Sequence, residues 1–290
     1  MKSFRERFEE VAGAAPNPVP KRPEFRVDAE VRDAGVLRRH IWFRPEPGDE
    51  VPAWLLLPPA GKRKLAAVLC LHQTTRIGKD EPVGLGGKPN LHYARELALR
   101  GYVTLAPDYP NFGEYKFDPY ANGYASATRK GIQNHAAALS LLEQLPYVDA
   151  KRMAVCGHSL GGHNSLFLAA FDKRVRAAIT SCGFTSFAKY MRGDLTGWSH
   201  RGYMPRIAEK FEKSPSKMPF DFSDVLAAIA PRPVFVNAPL RDSNFDASGV
   251  DDAVRASSHS RIRVVHPDAE HDFPSEVRQQ AYAWLDEVLR

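Results

Sequence analysis

Met153-Ala-Val-Cys-Gly-His-Ser-Leu-Gly-Gly-His163 is the stretch that decides the fold. Met153 to Cys156 are small or apolar and read as a short buried strand. Asn164 to Ala170 continues as a helix, and between the two Gly157-His158-Ser159-Leu160-Gly161 fits G-x-S-x-G. A serine on a sharp strand-to-helix turn has a strained backbone. The positions two before and two after it must therefore lack bulk so that the chain segments can approach. The helix that follows aims its N-terminal N–H groups at the negative charge that develops during acyl transfer. Strand, tight turn and helix together form a nucleophile elbow, and Ser159 is its candidate nucleophile.

Outward from the elbow, apolar runs alternate with helical spacing. Leu65 to Leu71 and Val103 to Ala106 are continuous apolar runs, as strands covered on both faces are. A Gly-rich loop from Gly78 to Pro89 leads to a helix at about 90–100 that stops at Gly101. Ile132, Ala136, Leu139 and Leu142 keep helical spacing through 125–145, and Pro146 ends that helix. Beyond the elbow come a strand at 176–180 and an aromatic-rich stretch at 183–222. Val225 to Ile229 and Pro233 to Asn237 then resume the sheet. A helix near 247–257, a strand at 262–265 and a closing helix at 275–289 follow. Upstream, Phe25 to Val31, Val36 to Phe43 and Val51 to Leu57 predict opening antiparallel strands.

Strands alternating with helices imply the α/β class, with a mainly parallel central sheet flanked by helices and right-handed crossovers. Residues 1–23 read as an amphipathic helix (2–11) and a Pro-rich linker, and 24–290 as one α/β domain. The stretch 183–222, before the last two strands, reads as a cap-like insertion. Trp198, Tyr203 and Met204 are its candidate substrate-lining residues.

Hydrophobic content of 43% and charged content of 26% are ordinary for a globular protein. The net charge is +6, but the 34 acidic and 40 basic residues are interspersed, with no basic run of the kind that binds nucleic acid. Cys70, Cys156 and Cys182 lie in or just after apolar runs without C-x-x-C spacing, which predicts buried thiols in a reducing compartment. No stretch has the length and apolarity of a signal peptide or a membrane span, so a cytoplasmic protein is expected. Oligomeric state leaves no mark on the sequence.

Four motifs together, Gly157-His-Ser-Leu-Gly-Gly162, Ala106-Pro-Asp-Tyr109, Ala230-Pro-Arg-Pro-Val234 and His271-Asp-Phe-Pro274, make the chain resemble the α/β-hydrolase superfamily from about residue 24 onward. Within it, the chain is similar to the dienelactone-hydrolase and acetyl-xylan-esterase-like branches. The resemblance implies a serine hydrolase of carboxylic esters with no metal or organic cofactor, acting on a small-molecule ester. It departs from the dienelactone hydrolases themselves, which typically carry cysteine where Ser159 stands, and this argues against true dienelactone hydrolysis. The fold orders its triad as Ser, then Asp or Glu, then His, each on a loop after a strand. Asp242 follows the strand ending at Asn237, with Asp246 as the alternative acid. His271, rather than His266, occupies the loop before the final helix. The acid is expected to hold the histidine, which takes the serine's proton. For the oxyanion hole the expected donors are the N–H of Leu160 and one from the loop after Leu71, either Thr74 or Gln73. Gln73 stands where relatives often have glycine.

Other features carry blander readings. His72, His92, His135, His158 and His163 lack the H-E-x-x-H context of a zinc hydrolase. Gly84, Gly86 and Gly87 read as a loop near the site's mouth. Lys79, Asp80 and Glu81 read as a charged loop bracing the oxyanion turn, and Asp108 as a pocket or turn residue. Competing functions are thioester, lactone or peptide hydrolysis on the same triad. A peptidase of this fold often carries an added β-propeller, for which these 290 residues have no room. A ligand-binding protein on a hydrolase scaffold is the reading outside enzymes.

Overall fold

The computed structural model describes residues 2–33, 35–59 and 64–289. Among these residues the strands are β1 (Phe25–Asp33), β2 (Val36–Phe43), β3 (Val51–Leu57), β4 (Leu65–Leu71), β5 (Val103–Pro107), β6 (Val148–His158), β7 (Val175–Ser181), β8 (Val234–Asn237) and β9 (Ile262–Val265). They form one sheet in the order β1-β2-β3-β5-β4-β6-β7-β8-β9. The pairs β1–β2, β2–β3 and β3–β5 are antiparallel, and every pair from β5 to β9 is parallel. This is the α/β-hydrolase architecture.

Among the described residues, the α-helices that accompany the sheet are α1 (Phe4–Ala12), α2 (Tyr93–Leu99), α3 (Ala127–Gln144), α4 (Leu160–Phe171), α5 (Arg206–Phe211), α6 (Phe222–Ile229), α7 (Ala247–Ser257) and α8 (Ser275–Val288). β4 shows why its sequence is apolar throughout. Ala67, Leu69 and Leu71 enter the core shared with α3 and α4, while Ala66, Val68 and Cys70 enter the core shared with α2 and α8. A strand with period two that is buried on both faces has no position left for a polar side chain. Among the described residues, no helix is long and apolar enough to cross a membrane.

One region differs from its sequence reading. Val225–Ile229 lies in helix α6, not in the sheet. Asp221 caps it in a reciprocal capping box with Asp224, and Phe222, Val225, Leu226 and Ile229 form its buried face at helical spacing. The N-terminal segment also shares the main core. Ser3 and Glu6 form a capping box on α1, and Phe8 is fully buried with its ring 5.0–5.1 Å from those of Phe167, Phe171 and Phe220. Burying one such side chain contributes about 1.5–3 kcal/mol. Further along, the Lys130 ammonium sits buried between the carboxylates of Glu46 and Asp49, which also accept from the Tyr124 and Tyr115 hydroxyls.

Candidate active site

Ser159, Asp242 and His271 all lie on loops that leave the carboxyl ends of parallel strands, the edge where ligands bind in open α/β sheets. Ser159 follows β6 at φ 53° and ψ −116°, a left-handed-side backbone that costs a non-glycine residue about 1–3 kcal/mol. Its own N–H donates to the Ser181 carbonyl at 2.8 Å, which ties the turn to β7. The glycines around it are required by contact. A methyl group on Gly157 would overlap the Gly161 carbonyl, and one on Gly161 would overlap the Leu71 carbonyl at the end of β4.

The Asp242 side chain is completely buried. Its Oδ1 accepts the N–H groups of Asn244 (2.8 Å) and Phe245 (3.2 Å), and its two oxygens lie 3.0 and 2.9 Å from His271 Nδ1. Burial pushes this carboxyl's pKa up. The hydrogen bond and charge of His271, with the two backbone donors, outweigh it and hold the group below its ordinary value. With Nδ1–H donating to Asp242, Nε2 of His271 carries the lone pair. It has no hydrogen-bond partner among the described residues, and no bond joins it to the Ser159 hydroxyl. Such bonds are often long in unliganded enzymes and tighten with substrate. The alternative residues are occupied elsewhere. Asp246 caps α7 through the Ser248 N–H (2.8 Å), and His266 bonds the Ala238 carbonyl and Asp251.

Sequence reasoning missed the polar cluster behind His271. His158 sets its ring T-shaped against that of His271, with centroids 4.8 Å apart, and its Nδ1 lies 2.9 Å from Ser181 Oγ. Asn237 donates to Ser181 Oγ (2.8 Å) and to the Asp272 carbonyl (2.9 Å), fixing the loop that carries the histidine. The one available signal was an asparagine ending an otherwise apolar strand. His158, Cys182 and His271 also bring potential ligating atoms within 4.8 Å of one another. The thiol there is pushed well up by burial and then by Asp242. His135 and His163 are both pushed down to about 3 by burial, and burial also holds His158 far below its ordinary value.

Leu160 is the first residue of α4, and its N–H has no acceptor among the described residues. The Gln73 side chain donates to buried Glu81 at 2.7 Å. The Thr74 hydroxyl lies 3.4 Å from the Tyr203 hydroxyl, so the insertion touches the loop after β4. Trp198 and Met204 are core residues. Trp198 is 2% exposed and Met204 0%, both packed into the main core, because an insertion this rich in aromatics gains most by burying them. Open grooves lie beside His271 and Asp242. One of about 840 Å³ is lined by Lys88, Asn90, Arg241, Glu270 and His271, and another of about 640 Å³ by Lys189, Arg192, Leu240, Asp242 and Asn244.

The profile of the prolyl oligopeptidase family matches residues 90–290. The chain belongs to that family. Its members are hydrolases on the α/β-hydrolase fold. The chain is 25% identical over 264 residues to the YtaP protein of Bacillus subtilis (strain 168), assigned as a hydrolase, covering 83% of this chain and 84% of that one. It is 24% identical over 257 residues to a Salmonella typhi protein assigned as a carboxymethylenebutenolidase, covering 84% and 81%. Among solved structures, a glucuronoyl esterase from Solibacter usitatus superposes with a TM-score of 0.77 at 18% identity, over 98% of this chain and 91% of that one. The family member described here thus shares its fold across nearly its whole length.

Proposed function

We propose that this hydrolase cleaves carboxylic esters through an acyl-enzyme, with Ser159 as nucleophile, His271 as base and Asp242 as the acid that orients it. The observation that carries the reading is the buried Asp242 carboxylate bonded to His271 Nδ1, which fixes the tautomer that leaves Nε2 free to take a proton. Ser159 attacks the ester carbonyl as His271 removes its proton. The N–H groups of Leu160 and of Thr74 or Gln73 receive the oxyanion. His271 then protonates the leaving alcohol, and water repeats the cycle on the acyl-enzyme. Ester substrates are favoured by the names of the relatives, a carboxymethylenebutenolidase and a glucuronoyl esterase. Peptide hydrolysis is the second reading, favoured by the family match.

The test is hydrolysis of short p-nitrophenyl esters beside peptide p-nitroanilides, with a fluorophosphonate probe to label the serine. Ser159→Ala should lower ester turnover by about 10⁴–10⁶-fold and abolish labelling. A Ser159→Ala protein that keeps its turnover would sink the mechanism, and wild-type preference for the anilides would move the activity to peptides.

A further inference from the structure

The loop His72-Gln73-Thr74 leaves β4 beside the elbow, and both nitrogens of its buried histidine are committed. The Tyr109 N–H donates to His72 Nε2 at 2.9 Å, and His72 Nδ1 lies 2.6 Å from the Gln73 carbonyl oxygen. A backbone N–H can only donate, so Nε2 is an acceptor and the ring proton sits on Nδ1, donating to Gln73. The residue is 3% exposed. Burial holds the imidazole's pKa below its ordinary value, against the pull of Asp108 and the Gln73 carbonyl, so the ring is neutral and this tautomer is the one present. Its partner strand end is itself pinned. The buried Asp108 carboxylate accepts the Lys79 N–H (2.7 Å) and the Glu114 N–H (3.0 Å) and pairs with the Lys79 ammonium (3.2 Å).

Peptide planarity turns these contacts into directions. The cis bond of the described chain is Ala230–Pro231, so the peptides at 72–74 are trans and each carbonyl points opposite to the following N–H. The His72 carbonyl faces the elbow, only 2.9 Å from where a methyl on Gly161 would stand, which turns the Gln73 N–H away from the elbow. The Gln73 carbonyl is held inward on the His72 ring, which turns the Thr74 N–H outward, where it meets no acceptor among the described residues. Of the two candidate donors on this loop, Thr74 is the one whose N–H lies opposite a carbonyl clamped on the buried ring.

We propose that His72 is a positioning residue for the oxyanion hole: its imidazole, clamped between the Tyr109 N–H and the Gln73 carbonyl, sets the Gln73–Thr74 peptide so that the Thr74 N–H faces the developing oxyanion. This rests on the reading of Ser159 as the nucleophile. The side chain touches no reacting atom and acts through the peptide it orients. The donor at Nδ1 matters more than the bulk of the ring, because the donor alone fixes the carbonyl.

Three variants separate these contributions. His72→Asn keeps a donor near the Nδ1 position, His72→Gln keeps an acceptor near the Nε2 position without that donor, and His72→Leu keeps only bulk. Each is measured for kcat and KM on a p-nitrophenyl ester, for inhibition by a trifluoromethyl ketone whose adduct carries the oxyanion, and for thermal unfolding. His72→Gln and His72→Leu should lose about 10²–10³-fold in kcat with KM little changed, the size of loss seen when one oxyanion donor is removed. Their ketone inhibition constants should weaken by the same factor, whereas His72→Asn stays within about tenfold of wild type. A merely structural role would lower the unfolding temperature without this parallel loss. A folded His72→Gln with wild-type kcat and ketone affinity overturns the proposal, as does His72→Asn falling as far as His72→Gln. Should His72→Leu fail to fold, the Asn and Gln pair still decides. Fluorophosphonate labelling of the wild type keeps the two levels apart. A labelled wild type with unaffected variants removes the role of His72 alone, whereas an unlabelled wild type removes the serine mechanism and this role with it.

Discussion

The elbow at 157–161 and the insertion at 183–222 meet at the same edge of the sheet, yet they are specified in opposite ways. In the elbow, each glycine faces backbone that cannot yield, the Gly161 carbonyl for Gly157 and the Leu71 carbonyl for Gly161, so residue identity is fixed position by position. In the insertion, Phe184, Phe187, Trp198, Met204 and Phe220 are held by shared burial, where one large apolar residue can substitute for another at modest cost. Chemistry depends on the first kind of region and stability on the second. Mutations in the two should therefore separate rate from folding.

After the proposed nucleophile itself, the largest effect is expected at the proposed triad acid. Asp242→Asn should reduce kcat by about 10⁴-fold while the protein stays folded, because the amide favours the wrong histidine tautomer. The same carboxylate links folding to pH. Its folded pKa is depressed, so the stability it contributes is present above the unfolded value of about 3.9 and is lost as pH falls through the lower folded value. The asparagine variant should lack that segment of the acid-unfolding curve, and an unchanged curve would contradict the assigned burial and pairing. Next comes the elbow itself. Gly161→Ala must push α4 away from β4, and a displacement on the order of 1 Å costs about 10²-fold in kcat. Full activity would mean that the contact with Leu71 is not limiting. In the insertion, Met204→Ala should cost about 2–5 kcal/mol of unfolding free energy by denaturant titration, with kcat nearly unchanged. A loss of activity without a loss of stability would reverse the assignment of Met204 to the core. Smallest of all, Tyr203→Phe removes only the 3.4 Å contact with Thr74 and should change kcat/KM by a few-fold at most, on the order of 1 kcal/mol.

The same contrast explains what the sequence could disclose. Backbone clearance writes itself locally. The strand bounds Val36–Phe43, Val51–Leu57, Leu65–Leu71 and Ile262–Val265 and the helix Ala247–Ser257 follow directly from apolar runs between turn residues. The order of Ser159, Asp242 and His271 was readable because each follows a strand. Long-range packing does not write itself in this way. Val225–Ile229 is apolar enough for a strand, and the capping box of Asp221 and Asp224, outside the apolar run, is what makes it a helix. Trp198 and Met204 look like pocket residues in one dimension, since nothing in the chain's order says which face of an insertion turns inward. The cluster of His158, Ser181 and Asn237 joins the ends of three strands, a neighbourhood that only the parallel pairing of β6, β7 and β8 creates.

Helix α1 has a practical meaning for anyone shortening this protein. Phe8 completes an aromatic set with Phe167, Phe171 and Phe220, and the first two of these lie on α4, the helix that Ser159 caps. A chain cut before Phe25 would retain every residue of the candidate triad and yet present those three rings to water. Its failure would show as aggregation during expression, not as a defective catalyst.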